Sequence, residues 1–450
     1  MKIKQFELHN IGQFKSLEVA LAPTESSLSK VTVFVGNNGA GKTSLLKALA
    51  TSLSWFVARI RSDKGSGSPI SEDVIFNGEN SAVITITVED DSFVSMSEEG
   101  ALEHRWTIAK SRKGKVGQHS SHLNAVAKLA ENYKKMYTEN DNCSLSLIAF
   151  YPVERVVLDV PLKIKERHQF RQLDGYDNAL NQGVDFRRFF EWFREREDSE
   201  NETGISQEVL DKLADFDSDV WKRLHDIKAS SRDLQLTAVR TAISNFMPGF
   251  SNLKVRRKPR LHMSIDKNGK TLNVLQLSQG EKSLMALVGD IARRLAMMNP
   301  DLQNPLHGDG IVMIDEVDMH LHPTWQRRVI GQLTKTFPNC QFVLTTHSPL
   351  VISECKDILV YAIEGGALTE VSSQYGQDAN MVLLDVMDTP IRNVEIDKKL
   401  NDLWAFIQNR KLDAARILLS ELESELPESN FELIKAKMLL HKQELRGEEN

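Results

Sequence analysis

The stretch Val312–Pro323, VMIDEVDMHLHP, sets three carboxylates, Asp315, Glu316 and Asp318, beside two histidines, His320 and His322, directly behind an apolar run. Such a set could hold a metal, activate a water for hydrolysis, or close a buried strand with charge. Histidines two residues apart face one way only on an extended chain, and no nearby cysteine or third histidine completes a structural zinc site. A transition-metal site therefore competes with loop packing or a role at a subunit junction. The apolar residues Ile311–Ile314 would bury a strand. An acidic pair at its carboxyl end has a clear use if phosphate lies next to it, one group positioning a cation and the other a water. Asp318 has no assignment from sequence.

That phosphate site is read at GNNGAGKT, Gly36–Thr43, which follows the β-branched run KVTVFVG and opens a helix. The glycines Gly36, Gly39 and Gly41, with Asn37, Asn38 and Ala40 between them, let backbone amides curl around phosphate oxygens. Lys42 would reach the β- and γ-phosphates, Thr43 would offer a hydroxyl to Mg²⁺, and Ser44 continues the helix start. Two further segments belong with it. LSQGEKSL places Ser278, Gly280 and Glu281 at a helix N-terminus suited to an anion, and VLTTHSP ends a buried strand with His347 at its carboxyl edge.

These residues need a scaffold that brings strand ends together, and the chain alternates accordingly. KIKQFELHNI and FKSLEVAL read as opening strands, and VIFNGENSAVITITVEDD and HRWTIAK as an antiparallel pair between polar loops. SLSLIAFYPV, GIVMID, QFVLTT and DILVYAI read as buried strands, which with their intervening helices form a layered α/β sheet. LKVRRKPRLHMSID and KTLNVLQL read as strands joined by Asn268-Gly269, a hairpin signal. Helical spacing marks residues 154–246, including FRRFFEWFRERED and QEVLDKLADFDSDVWKRLHDI, as a helical insertion, with Phe186, Phe189, Phe190 and Phe193 as core. The expected organisation is an N-terminal lobe over 1–153, the insertion over 154–246, a C-terminal lobe over 247–389 and an all-helical tail over 390–450. The tail could pack on the head or dock a partner.

The 450 residues, 41% hydrophobic and 26% charged, are ordinary for a folded globular protein, and a net charge of -6 supplies no global attraction to nucleic acid. Any polyanion would bind a local patch. KVRRKPR, with Lys254, Arg256, Arg257, Lys258 and Arg260, is either a charge-guarded edge strand or a nucleic-acid-backbone contact. HRWTIAKSRKGK, with Arg105, Lys110, Arg112, Lys113 and Lys115, is a second such patch. The three cysteines suit a reducing cytoplasm, and neither a signal peptide nor a membrane span is read.

Walker A (GNNGAGKT), the signature LSQGEK, Walker B (the apolar strand ending in Asp315-Glu316) and a strand-terminal His347, in that order, resemble the ATP-binding-cassette ATPase heads of the RecF, SMC and OLD group. The resemblance implies a P-loop head that pairs head to tail as a homodimer or higher homo-oligomer. In such a pair Ser278 and Gly280 touch the γ-phosphate held by the other subunit, with Glu281 beside them. It also implies that Asp315 holds Mg²⁺, Glu316 polarises the attacking water and His347 senses the γ-phosphate. FFEWFREREDSEN, YGQDANMVLLDVM and the tail after Pro390 are similar to the anti-phage ATPases of Septu type and their retron-associated relatives. That similarity implies a separate HNH-type nuclease as partner and no DNA cleavage by this chain alone. A RecF- or SMC-like clamp on DNA is the alternative, and a transporter cassette a third reading. VDMHLHP departs from the transporter pattern, which carries a loop ending in aspartate. No clear Q-loop is found: Gln172 and Gln182 lie in or near the insertion, and Arg155 is either a switch residue or a solvated loop residue.

Overall fold

A computed structural model of the chain describes residues 1–92, 102–117, 119–140, 142–153, 170–181, 184–203 and 232–448. It divides into two compact units, Met1–Ala379 and Asn380–Asn450. Gln182, Arg155 and the segment QEVLDKLADFDSDVWKRLHDI lie outside the described residues.

The first unit holds three sheets. Strands β1 (Lys2–Ile11), β2 (Phe14–Ala20), β4 (Ser81–Asp90) and β5 (Leu102–Ser111) form an antiparallel sheet in the order β2-β1-β4-β5. The central sheet has the order β13-β12-β3-β11-β10-β6, built from β3 (Val31–Val35), β6 (Leu147–Tyr151), β10 (Gly310–Ile314), β11 (Cys340–Thr346), β12 (Leu359–Glu364) and β13 (Ala367–Val371). Its members run parallel except β13. The buried patterns of β3, β6 and β10 explain why they read as continuous apolar runs rather than alternating ones. β13 was missed in sequence, because the Gly365-Gly366 turn hides a hairpin behind polar, exposed residues.

Helix α1 (Lys42–Arg61) fills the space between the two sheets, touching β1 and β4 on one side and β6, β10 and β11 on the other, with α2 (Asn124–Glu139) against it. The third sheet, β7 (Phe250–Arg256), β8 (His262–Lys267) and β9 (Lys270–Asn273), corrects one expectation. LKVRRKPRLHMSID is two antiparallel strands, broken where Pro259 removes a ladder donor. Asn268 and Gly269 then turn β8 into β9 with φ of 49° and 79°, as a primed hairpin turn requires.

The described part of the insertion holds a short 3-10 turn (Gln172–Tyr176) and the helices α3 (Phe186–Thr203) and α4 (Leu234–Phe246), all against α5 (Gln279–Met298). Phe186, Phe189, Phe190 and Phe193 are all buried, as their spacing predicts. Every residue of α5 from Ser283 to Met298 is buried, including Asp290, Arg293 and Arg294. The Asp290 carboxylate accepts hydrogen bonds from both guanidiniums, each at 2.7 Å, and from the Tyr151 hydroxyl at 3.0 Å. Burial alone would raise its pKa, but Arg294 and Arg293 outweigh burial and hold it below the ordinary value. Arg294 continues to the carbonyls of Gly175 and Asp177 at 2.6 and 2.9 Å. Short helices α6 (Pro323–Gln326), α7 (Val329–Thr336) and α8 (Pro349–Ile352) complete the connections, so the predicted helix after Pro323 is split in two.

α9 (Ala379–Asp385) begins at the last residue of the first unit, and the second unit continues with α10 (Val394–Gln408), α11 (Leu412–Glu425) and α12 (Phe431–Glu448). These last three close on their own core of Leu400, Leu403, Ile407, Leu419, Leu422, Leu433 and Leu440. Their apolar residues recur every three to four positions, which gives each helix one stripe to bury.

Candidate active site

β3 ends at Val35 and the chain curls through Gly36–Gly41 into α1. Gly39 and Gly41 have φ of 80° and 96°, a region that favours glycine. At Gly41 a Cβ would also stand 2.6 Å from the Gln13 amide nitrogen and 2.8 Å from the Phe14 ring, so the β1–β2 turn closes on the loop. Asn37, Asn38 and Gly39 are exposed, Ala40, Gly41, Thr43 and Ser44 partly so, while Lys42 is buried. Its ammonium donates to the carbonyls of Gly36 and Asn37 at 2.7 and 3.1 Å. Burial lowers the lysine pKa, opposed by the charges of Glu316, Asp315 and Asp318.

Strand order makes the rest of the cluster. β11 lies between β3 and β10, with Thr346 opposite Val35 and Leu344 opposite Ile314, so the three carboxyl ends lie level. Ligands of open α/β sheets bind at this edge. Asp315, fully buried, accepts the Thr43 hydroxyl on Oδ2 at 2.7 Å and the Thr345 hydroxyl on Oδ1 at 2.6 Å. The Thr345 oxygen in turn accepts the Glu316 amide at 2.7 Å. Glu316 has φ of 46°, a left-handed conformation uncommon outside glycine, asparagine and aspartate. That turn separates the two acids: Asp315 faces inward, whereas the Glu316 side chain is 32% exposed and stands 4.0 Å from Nε2 of His347.

Burial and Lys42 lower the His347 pKa more than Glu316, Asp318 and Asp315 raise it, so the imidazole is neutral near pH 7. Its contact with Glu316 is therefore not an ion pair, and 4.0 Å is too long for a hydrogen bond. Asp318, unassigned from sequence, accepts the Thr346 hydroxyl and, at 3.3 Å, the His347 amide. It ties the Walker B loop to the histidine strand. Thr345 and Thr346 were also missed, although two adjacent hydroxyls at the end of an apolar strand were a visible signal.

Ser278, Gly280 and Glu281 form a second group at the N-terminus of α5. Ser278 caps the helix: its amide donates to Glu281 Oε2 at 3.0 Å, its hydroxyl accepts the Glu281 amide at 3.4 Å, and Lys267 holds Oε1 at 2.7 Å. The Glu281 carboxylate, read as nucleotide-binding from sequence, is thus engaged in shaping the helix start, while Ser278 is exposed. Among the described residues, no hydrogen bond of Ser278 or Glu281 reaches the phosphate loop. Gly280 presses on the backbone of His320, where a Cβ would lie 2.3 Å from the carbonyl oxygen. His322 accepts the Thr324 amide on Nδ1 at 3.3 Å and caps α6. The loop after Glu316 therefore bridges this chain's Walker strand and its signature helix.

The donor set suits a hard divalent cation. A threonine hydroxyl and a carboxylate oxygen converge beside a loop of backbone amides, and Mg²⁺ takes oxygen ligands of this type.

Known families match the same regions. An AAA domain model matches residues 5–220, and a second, described as "AAA domain, putative AbiEii toxin, Type IV TA system", matches 154–353. The chain is 33% identical to the Retron Ec83 probable ATPase of Escherichia coli over 81% of its own length and 72% of the relative's. To the Retron Vc95 probable ATPase of Vibrio cholerae serotype O1 biovar El Tor it is 31% identical over 88% and 81%. A shorter match, 42% identical over 16% of this chain and 10% of the relative, is to the Septu protein PtuA of Bacillus mycoides (strain KBAB4). The fold is the P-loop ATPase head expected from the motif order, and the protein belongs to the family of retron-associated and Septu-type ATPases.

Proposed function

We propose that this ATPase is the Mg·ATP-binding and hydrolysing subunit of an anti-phage defence complex, that its heads pair around ATP, and that it controls a separate HNH-type nuclease. The observation that carries the catalytic reading is the convergence of Lys42, Thr43, Asp315, Glu316 and His347 on the level ends of β3, β10 and β11. The defence setting rests on relatives described as retron and Septu proteins.

In this reading the amides of Gly36–Thr43 and the Lys42 ammonium hold the β- and γ-phosphates. Thr43 and Asp315 would hold Mg²⁺, which when bound neutralises charge on the phosphates. Asp315, fully buried and anchored by Thr43 and Thr345, is the less accessible of the two acids to an attacking water. Glu316, partly exposed, orients the attacking water and accepts its proton. Neutral His347 contributes hydrogen bonding at the γ-phosphate without adding charge beside Lys42. The exposed Ser278 and the amides at the start of α5 serve a nucleotide held by a second copy.

Glu316→Gln separates binding from chemistry. ATP affinity should stay within a few-fold, while turnover falls on the order of 100-fold or more, the usual contribution of a positioned base. Filter binding and phosphate release measure the two quantities. Hydrolysis by the variant at the wild-type rate would remove Glu316 from this role.

A further inference from the structure

One strongly charged surface lies outside the ATPase site and is independent of its reading. We propose that the β7–β8 ribbon binds the phosphodiester backbone of duplex nucleic acid through Lys254, Arg256, Lys258 and Arg260.

Along β7 the side chains alternate, with Leu253 and Val255 buried and Lys254 and Arg256 exposed. The connection to β8 is exposed throughout from Arg257 to Arg260. Arg257 pairs with Asp198. Lys254, Arg256, Lys258 and Arg260 have no ion-pair partner among the described residues. Asp266 on the facing strand accepts from Thr271 at 2.6 Å and Asn252 at 2.7 Å, and its negative charge offsets part of that of Lys254 and Arg256, whereas Lys258 and Arg260 lie beyond it. The cations are thus concentrated on the exposed face and turn of one ribbon in a chain whose net charge is -6.

Guarding of an open edge accounts for only part of this. β7 is an edge strand of its sheet, but its Val255 amide already donates to Glu197 at 2.9 Å and its Leu253 carbonyl accepts from Arg240 at 3.2 Å, so only part of that edge is open for Lys254 and Arg256 to guard. Lys258 and Arg260 lie beyond the ladder, where no edge needs protection. A protein partner fits less well, because residues 256–260 offer only cations and a proline, whereas protein interfaces rest on aromatic and apolar anchors. Single strands are held largely by stacking on aromatics, and the tip has none. A hairpin tip that carries cations alone suits a duplex backbone.

The ribbon also leads back to the signature. β8 runs from His262 at the charged end to Lys267, which holds Glu281, the residue that caps α5 through Ser278. A bound backbone would sit one strand, roughly 17 Å, from that capping box.

The test uses the full chain, a fluorescein-labelled duplex of about twenty base pairs and anisotropy across a salt series. Four neutralised phosphates predict a slope of log K against log salt of about -3 to -4. The combined variant Lys254→Ser, Arg256→Ser, Lys258→Ser, Arg260→Ser should bind at least about tenfold more weakly at moderate salt, with a much shallower slope. Lys258→Ala alone should reduce the slope by about 1. ATP hydrolysis without nucleic acid should be unchanged in both, which shows that the heads are intact and keeps this test separate from that of Glu316. Equal affinity and slope in wild type and combined variant would overturn the proposal. So would no duplex binding at low salt, or displacement of the duplex by polyglutamate at equal charge, which would assign the surface to acidic proteins.

Discussion

One backbone torsion sends two adjacent acids into different surroundings. The left-handed Glu316 turns its carboxylate away from the one that Thr43 and Thr345 hold at Asp315. Sequence made the pair visible and its division of labour plausible, but a positive φ at a glutamate leaves no mark in the letters. The neighbouring His347 yields a pH prediction with a definite sign. Burial and Lys42 disfavour its protonated form, so its pKa lies below the ordinary histidine value of 6.5. ATP hydrolysis should therefore stay level as pH falls from 8 to about 6.5 and decline only below that, when an imidazolium forms beside Lys42. His347→Gln should lower kcat and erase this decline above about pH 5. A wild-type midpoint at or above the ordinary histidine pKa would contradict the neutral-imidazole assignment.

Among the elements, α5 was the least legible. In QGEKSLMALVGDIARRLAMM, Asp290, Arg293 and Arg294 stand at the i, i+3 and i, i+4 spacings that surface ion pairs use. Instead all three are buried, because Tyr151 and the carbonyls of Gly175 and Asp177 complete their hydrogen bonds. Those partners are remote in sequence and no local pattern announces them. Asp290→Asn would leave two buried guanidiniums without their shared anion, at a cost of about 3–5 kcal/mol. Thermal unfolding should show a drop of several degrees in Tm. An unchanged Tm would mean that the two arginines are solvated after all. The phosphate loop was legible for the opposite reason, since its chemistry is local: glycines, Lys42 and Thr43 act where they stand in sequence.

For the whole molecule, motif order was legible and pairing was not. Walker A, signature, Walker B and histidine could be ordered along the chain, but only the sheet order puts β11 between β3 and β10 and so explains why Thr345 and Asp318 belong to the site. Within one chain the signature residues bond to each other and to Lys267, apart from the Lys42 cluster, which is the arrangement expected if each site needs two copies. A mixing experiment tests that claim most directly. Lys42→Ala and Ser278→Arg should each abolish ATP hydrolysis alone. Mixed in equal amounts with subunit exchange, half the pairs would be mixed and would hold one intact site of two, so roughly a quarter of the wild-type rate should return. A mixture no more active than the sum of its parts, or Ser278→Arg alone at full rate, would contradict a shared site.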